Sequence, residues 1–149
     1  MSERRRLGSI LVLLAVLGIA VAGYLAGTKL SGALPVCGPL QGCETVATSE
    51  YSEIMGVPVA LFGVAYSVVA LVTSLVWWRG GDRRALYLLY GMGMLGLLAV
   101  AYLTYLELFV IEAVCIWCVG YAITVVGGWL TAVVALRSTS EGSAETGDA

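Results

Sequence analysis

The sequence predicts an all-α integral membrane protein: a four-transmembrane-helix bundle capped by an outer loop that carries a short amphipathic helix. Three observations predict it. Hydrophobic residues fill 60% of the 149 positions and charged residues only 12%, where a soluble domain carries about a quarter charged. Mean hydropathy is +0.94, too apolar for a water-facing surface. The apolar residues also fall into four runs, each near the ~20 residues that a helix needs to cross ~30 Å of hydrocarbon.

The first run extends from about Leu7 to Leu30 and follows the basic cluster Arg4, Arg5 and Arg6. A cleaved signal peptide is the alternative reading, but the run is longer than the roughly 7–15 apolar residues of such a segment. An outer loop, 31–57, comes next and holds Cys37 and Cys43 around the turn-forming Gly38-Pro39-Leu40-Gln41-Gly42. Beyond Cys43, Ala47, Tyr51, Ile54 and Met55 recur at helical spacing with carboxylates opposite. That pattern suits a short amphipathic helix lying over the mouth of the bundle. Gly56-Val57-Pro58 then turns the chain into the second run, about 58–78, which ends on Trp77 and Trp78. Indole rings favour the headgroup zone, so both read as interface anchors.

The third run spans about 85–106, and Gly91, Gly93 and Gly96 within it permit close helix packing, as do Gly127 and Gly128 in the fourth. The fourth run covers about 114–136 and opens with Cys115-Ile116-Trp117-Cys118. Residues 1–137 thus read as one membrane domain. The Ser-, Gly-, Thr- and acid-rich tail 138–149 reads as disordered.

Orientation follows from the basic residues. Arg4–Arg6, then Arg79, Arg83 and Arg84, then Arg137 mark three segments as cytoplasmic by the positive-inside rule. Both termini are therefore expected inside. The opposite side carries Glu44, Glu50, Glu53 and Glu112, with Lys29 the exception. No basic stripe is interleaved with aromatics, which leaves nucleic-acid binding unsupported. His is absent, removing the usual general base and the commonest metal ligand.

On this topology all four cysteines meet at the outer membrane surface. Cys115 and Cys118, three apart, share a helix face with Cβ atoms ~5–6 Å apart, close to disulfide geometry. A helix N-terminus also favours the thiolate, the attacking species in disulfide exchange. Two inert disulfides are the structural alternative. That fits Cys37 and Cys43, but a bridge between residues three apart in one helix closes so short a loop that it adds little stability. A tetrathiolate zinc site is disfavoured, because the five residues between Cys37 and Cys43 exceed the usual two to four.

Taken together, the loop pair Cys37/Cys43, Ser49 six residues on, Gly56-Val57-Pro58 with Leu61-Phe62-Gly63, and Cys115-Ile116-Trp117-Cys118 resemble the vitamin K epoxide reductase (VKOR) family over nearly the whole chain. The resemblance implies a four-helix bundle around a quinone pocket near the outer surface. It implies that Cys118 faces the quinone, that Cys115 takes electrons from Cys43 through an inter-pair disulfide, and that a thioredoxin-like protein reduces the Cys37/Cys43 relay. The acceptor would be a quinone of menaquinone, ubiquinone or vitamin K type, with no metal. Ser49 matches a hydroxyl position near the active site of relatives, and is equally readable as a helix-surface serine. Many animal members carry a Tyr four residues after the last active-site Cys. Ala122 stands there in this chain, with Tyr121 one residue earlier, about 100° round the helix, so Tyr121 is a candidate quinone contact whose alternative is a position facing lipid or a neighbouring helix. Phe62, Tyr66, Met92 and Trp117 are candidate pocket residues, with simple packing as their alternative.

Several microbial relatives carry a fused thioredoxin-like domain. Here a polar tail follows the last span, so the expected partner is a separate thioredoxin-like (DsbA-like) protein. Besides that partner and quinone, the chain is expected to contact membrane lipid, and a microbial cell membrane is the expected location. The unrelated DsbB-type enzymes would carry the Cys-X-X-Cys pair in the first outer loop, the reverse of the order here. A small four-span structural protein or transporter is the competing class. Intramembrane charge would mark a transport path, and Glu107, close to the outer end of the third run, is the single carboxylate near a span.

Overall fold

The computed structural model describes residues 2–39 and 42–145. Helix α1 covers Ser2–Ser31 and α2 Gly42–Thr48. A 3₁₀ turn at Glu50–Ser52 leads into a minimal antiparallel hairpin of β1, Glu53–Ile54, and β2, Val57–Pro58. Helix α3 follows over Val59–Gly80, α4 over Arg83–Tyr105 and α5 over Ile116–Glu145. Among the described residues, four helices are long and apolar enough to cross a membrane, so the predicted class and span number hold.

Helix α1 packs against α3 and α5, and α4 packs against α5 and α3. The α3–α4 link is tight. Gly81 adopts φ +68° and returns its N–H to the Trp77 carbonyl at 2.8 Å, and Asp82 caps α4 by accepting the Arg84 N–H at 2.9 Å. Near this link the bundle is solid. Leu11, Trp77, Ala85, Leu86, Leu89, Ala132 and Ala135 form its core. Trp77 is only 1% exposed and belongs to this core, which corrects its reading as a headgroup anchor. Trp78 is half-buried against Gly8, where a Cβ would meet the indole.

Close helix approach is real at Gly93, against Trp129, at Gly96, against Tyr66 and Val125, and at Gly127, against Leu14. A Cβ on Gly91 or Gly128 would meet nothing within 4 Å, so those two do not serve packing inside this bundle.

Two expectations about helix extent are corrected. The amphipathic lid helix stops at Thr48 rather than running on to Met55. Ser49 has an extended backbone, and its N–H and hydroxyl both donate to the Val46 carbonyl, at 3.3 and 2.7 Å, which closes the helix. Met55 (φ +53°) and Gly56 (φ +82°) are then both left-handed, as a two-residue type I′ hairpin turn requires. Met55 stands 99% exposed at its tip. At the other terminus, α5 continues to Glu145 although disorder was expected from Ser138. The hydroxyls of Ser138, Thr139 and Ser140 fold back onto the carbonyls three residues earlier, so these polar residues stay within the helix. The remaining tail residues 146–149, like Leu40 and Gln41 in the loop, lie outside those described.

Helix α4 does not end cleanly at Tyr105. It widens into a π-helical turn, Leu106–Val110, closed by the Ile111 N–H on the Leu106 carbonyl at 2.8 Å. Such turns place side chains where a regular helix would not. Here the adjacent Leu106 and Glu107 are both buried.

Candidate functional site

The end of the bundle opposite Trp77 is hollow. A cavity of about 570 Å³ lies between α1, α3, α4 and α5 and beneath the lid formed by α2 and the 3₁₀ turn. Cys43, Cys115 and Cys118 all line it, as do Ser49, Phe62, Tyr66, Glu107 and Tyr121.

Cys37 and Cys43 are joined as a disulfide with Cα atoms 5.9 Å apart. Cys37 is half-buried, whereas Cys43 is fully buried, at 0% exposure. Cys115 and Cys118 are free thiols that neighbour one another, Cys115 buried at 2% and Cys118 half-buried. Cys115 immediately precedes α5, and its carbonyl accepts the Val119 N–H at 3.1 Å, so the thiol sits at the helix N-terminus. Among the described residues no three metal-ligating side chains converge.

Backbone contact brings the two pairs together. Gly42 lies against the backbone of Val114, and a Cβ there would collide with the Val114 carbonyl, nitrogen and carbonyl carbon. Each cysteine of the inner pair, Cys43 and Cys115, is the next residue along from this contact.

Cys37 is held through its neighbour. The Val36 N–H donates to the Tyr24 hydroxyl and its carbonyl accepts the Trp117 indole N–H, each at 2.9 Å. The Tyr24 and Trp117 rings pack at 4.7 Å between centroids. Trp117 is therefore a clamp on the loop and is not part of the cavity lining, unlike its expected pocket role. Met92 also lies elsewhere, beside a separate void of about 40 Å³.

The lid is fastened by Lys29 near the end of α1. Its ammonium donates to the Ala47 carbonyl at 2.7 Å and the Ser52 hydroxyl at 2.9 Å, and pairs with Glu53 at 3.3 Å. One cation thus holds the last turn of α2, the 3₁₀ turn and β1.

Tyr121 turns inward. Its hydroxyl donates to the Gly63 carbonyl at 2.9 Å and lies 3.3 Å from the Ser67 hydroxyl, tying α5 to α3 beside the cavity. Phe62 lines the cavity at its open side, with 53% of its surface exposed.

Sequence reasoning passed over Lys29, Tyr24 and Glu107 as site residues. Glu107 is the most informative of them. It is 6% exposed, lines the cavity and accepts the Cys115 N–H on Oε2 at 3.3 Å. The signal that could have found it was its position, a carboxylate inside an apolar span eight residues before a cysteine.

Residues 9–133, most of the chain, match the family model described as Vitamin K epoxide reductase family. No curated protein matches the chain.

Proposed function

Because this chain belongs to the vitamin K epoxide reductase family, whose members are membrane thiol–disulfide oxidoreductases, we propose that it oxidises a separate thioredoxin-like partner and delivers the electrons to a quinone in the membrane. The net reaction is two thiols plus quinone giving a disulfide plus quinol. The observation that carries this reading is a single apolar cavity bounded by Cys43, Cys115 and Cys118 and roofed by the segment that carries the Cys37–Cys43 disulfide.

One thiolate of the partner attacks the half-buried Cys37 and opens Cys37–Cys43, and the partner's second thiol then closes the partner's own disulfide and frees Cys37. The Cys43 thiolate then attacks Cys115 when that residue is bonded to Cys118, and Cys37 closes on Cys43 to release Cys115 and Cys118 as thiols. Those two thiols are the donors to quinone. Cys118, in the first turn of α5 and on the cavity wall, is the proposed contact with the ring.

The cavity fits such an acceptor. Its walls are mostly apolar, as a ring and isoprenoid tail require, with a few hydroxyls directed inward. Tyr66 lines it without a hydrogen bond to any described residue, so its hydroxyl is the proposed donor to a quinone carbonyl. The Tyr121 hydroxyl, engaged with Gly63, shapes the wall. Ser49 and Phe62 are proposed to flank the ring from the lid and from α3. Menaquinone, ubiquinone and vitamin K type rings share the chemistry this requires.

The basic residues Arg4–Arg6, Arg79, Arg83, Arg84 and Arg137 support an orientation with both termini in the cytoplasm and the cysteine end outside. Disulfides would then form in the compartment that keeps them.

The test mixes purified protein with a reduced thioredoxin-like protein and a short-chain quinone and follows quinol spectroscopically. Turnover is expected with the native chain and is expected to vanish in Cys115→Ala. No turnover with any quinone, together with a Cys37–Cys43 bridge that no partner opens, would favour a structural protein with a stapled loop.

A further inference from the structure

Glu107 is buried at the wall of the cavity, in the π-helical turn between α4 and the cysteine-bearing loop. Its Oε2 accepts the Cys115 N–H at 3.3 Å, and its carboxylate faces the Cys118 thiol. No Lys or Arg pairs with it among the described residues. Lys29, the cation on the same cavity, is engaged with Glu53 and the lid.

This surrounding sets a charge problem. A carboxylate at 107 and a thiolate at 118 would place two like charges side by side in an apolar site without a counter-ion, an arrangement whose desolvation cost is large. One proton shared between the two groups removes it. In the dithiol form the pair then holds one negative charge, on oxygen or on sulfur, and while Cys118 is in a disulfide the protonated carboxyl keeps the pair neutral.

We propose that Glu107 is the general acid and base for Cys118, giving its proton to the Cys118 sulfur when that sulfur leaves a disulfide and taking it back when Cys118 is oxidised. This deepens the proposed function and rests on it for the direction of electron flow. In the exchange step, the Cys43 thiolate forms a bond to the Cys115 sulfur and the Cys115–Cys118 bond breaks. The departing Cys118 takes the electron pair and, from the Glu107 carboxyl, a proton. The proton that the partner's attacking thiol released balances the one that Cys118 gains, and it restores the Glu107 carboxyl before the next exchange. In the oxidation step, Cys115 and Cys118 give up two electrons and two protons as their bond closes. Glu107 receives the Cys118 proton and passes it on, so that two electrons and two protons arrive together on the acceptor.

The π-helical turn serves this role. By burying two successive residues, it directs the Glu107 side chain at the cysteines while Leu106 fills the wall beside it. The Glu107 carbonyl meanwhile accepts the Ala113 N–H at 3.0 Å, which ties the carboxylate's own backbone to the loop leading into Cys115.

Glu107→Gln is the informative variant, because the amide oxygen keeps an acceptor for the Cys115 N–H while the proton is lost. The experiment needs no quinone. The full-length protein, with Cys115–Cys118 oxidised, is reduced by a reduced thioredoxin-like protein while infrared difference spectra record the carboxyl carbonyl stretch. In the native chain a protonated-carboxyl band is expected to change between the oxidised and dithiol forms, and the change should be absent in Glu107→Gln. The rate of Cys118 release should fall about 100-fold in that variant, the low end of general acid–base contributions. Glu107→Asp should recover part of it. An unchanged rate in Glu107→Gln, or a native spectrum with no carboxyl change, overturns the assignment. If Glu107→Gln does not fold, the native infrared spectrum decides alone. A native protein that shows the carboxyl change yet never reduces a quinone would refute the electron acceptor and leave the Glu107 assignment standing.

Discussion

Gly42 and Val114 are in direct backbone contact, so closely that no side chain fits at position 42. The lid and the loop leading into α5 therefore meet at the residues adjoining Cys43 and Cys115, the two cysteines that the proposed relay must join. Gly42→Ala pushes these backbones apart, and overpacking of this kind costs about 1–3 kcal/mol. The expected outcome is roughly tenfold slower formation of the Cys43–Cys115 mixed disulfide. Trapping that bridge in a Cys37→Ala, Cys118→Ala background, with diamide added as the two-electron oxidant, and timing it on non-reducing gels checks the expectation.

Lys29→Met should loosen the lid. The substitution leaves the Ala47 carbonyl, the Ser52 hydroxyl and Glu53 without their shared cation. Hydrogen bonds to charged groups contribute about 1.5–3 kcal/mol each, less for the part-exposed pair with Glu53. Alkylation of the buried Cys115 by a water-soluble maleimide is expected to accelerate about tenfold or more, with little change in secondary structure by circular dichroism.

Trp117 holds the Cys37 loop through the Val36 carbonyl, and Trp117→Phe keeps the ring contact with Tyr24 while removing that hydrogen bond. A loss of about 1 kcal/mol is expected. Backbone amide exchange at Val36 should speed up, and the KM for quinone should stay close to native because the indole lies outside the cavity.

Tyr66→Phe tests the quinone contact. The hydroxyl has no described partner to lose, so the thermal midpoint should barely move, whereas quinone KM should rise by about tenfold, the effect of one hydrogen bond. Tyr121→Phe should do the reverse. It breaks the link to Gly63 and Ser67 and is expected to lower stability by about 1–2 kcal/mol with a smaller effect on KM.

The spans were legible because hydropathy and length alone decide them. Cys115-Ile116-Trp117-Cys118 was legible because three-residue spacing at a span mouth has few other uses. The end of the lid helix was not, since nothing in Ala47, Tyr51, Ile54 and Met55 reveals that Ser49 would close the helix and Met55-Gly56 would turn left-handed. Trp77 was misread for a related reason. Proximity to a span end suggests an anchor, but the ring is buried in a core that residues of α1, α4 and α5 share with it. Glu107 was visible as a charge near a span, and only the π-helical turn reveals that it faces the cysteines. Counting along α5 does not show where Tyr121 points: it lines the cavity, and its hydroxyl reaches α3.

The most direct test of the central claim is a single-turnover reaction between quinone and protein whose Cys115 and Cys118 are reduced, with Cys37 and Cys43 replaced by Ala so that no other thiol can donate. The account expects one quinol for each Cys115–Cys118 disulfide closed, identified by mass spectrometry, and none after Cys118→Ala. Quinol formed without closure of that disulfide, or a disulfide closed without quinol, would contradict it.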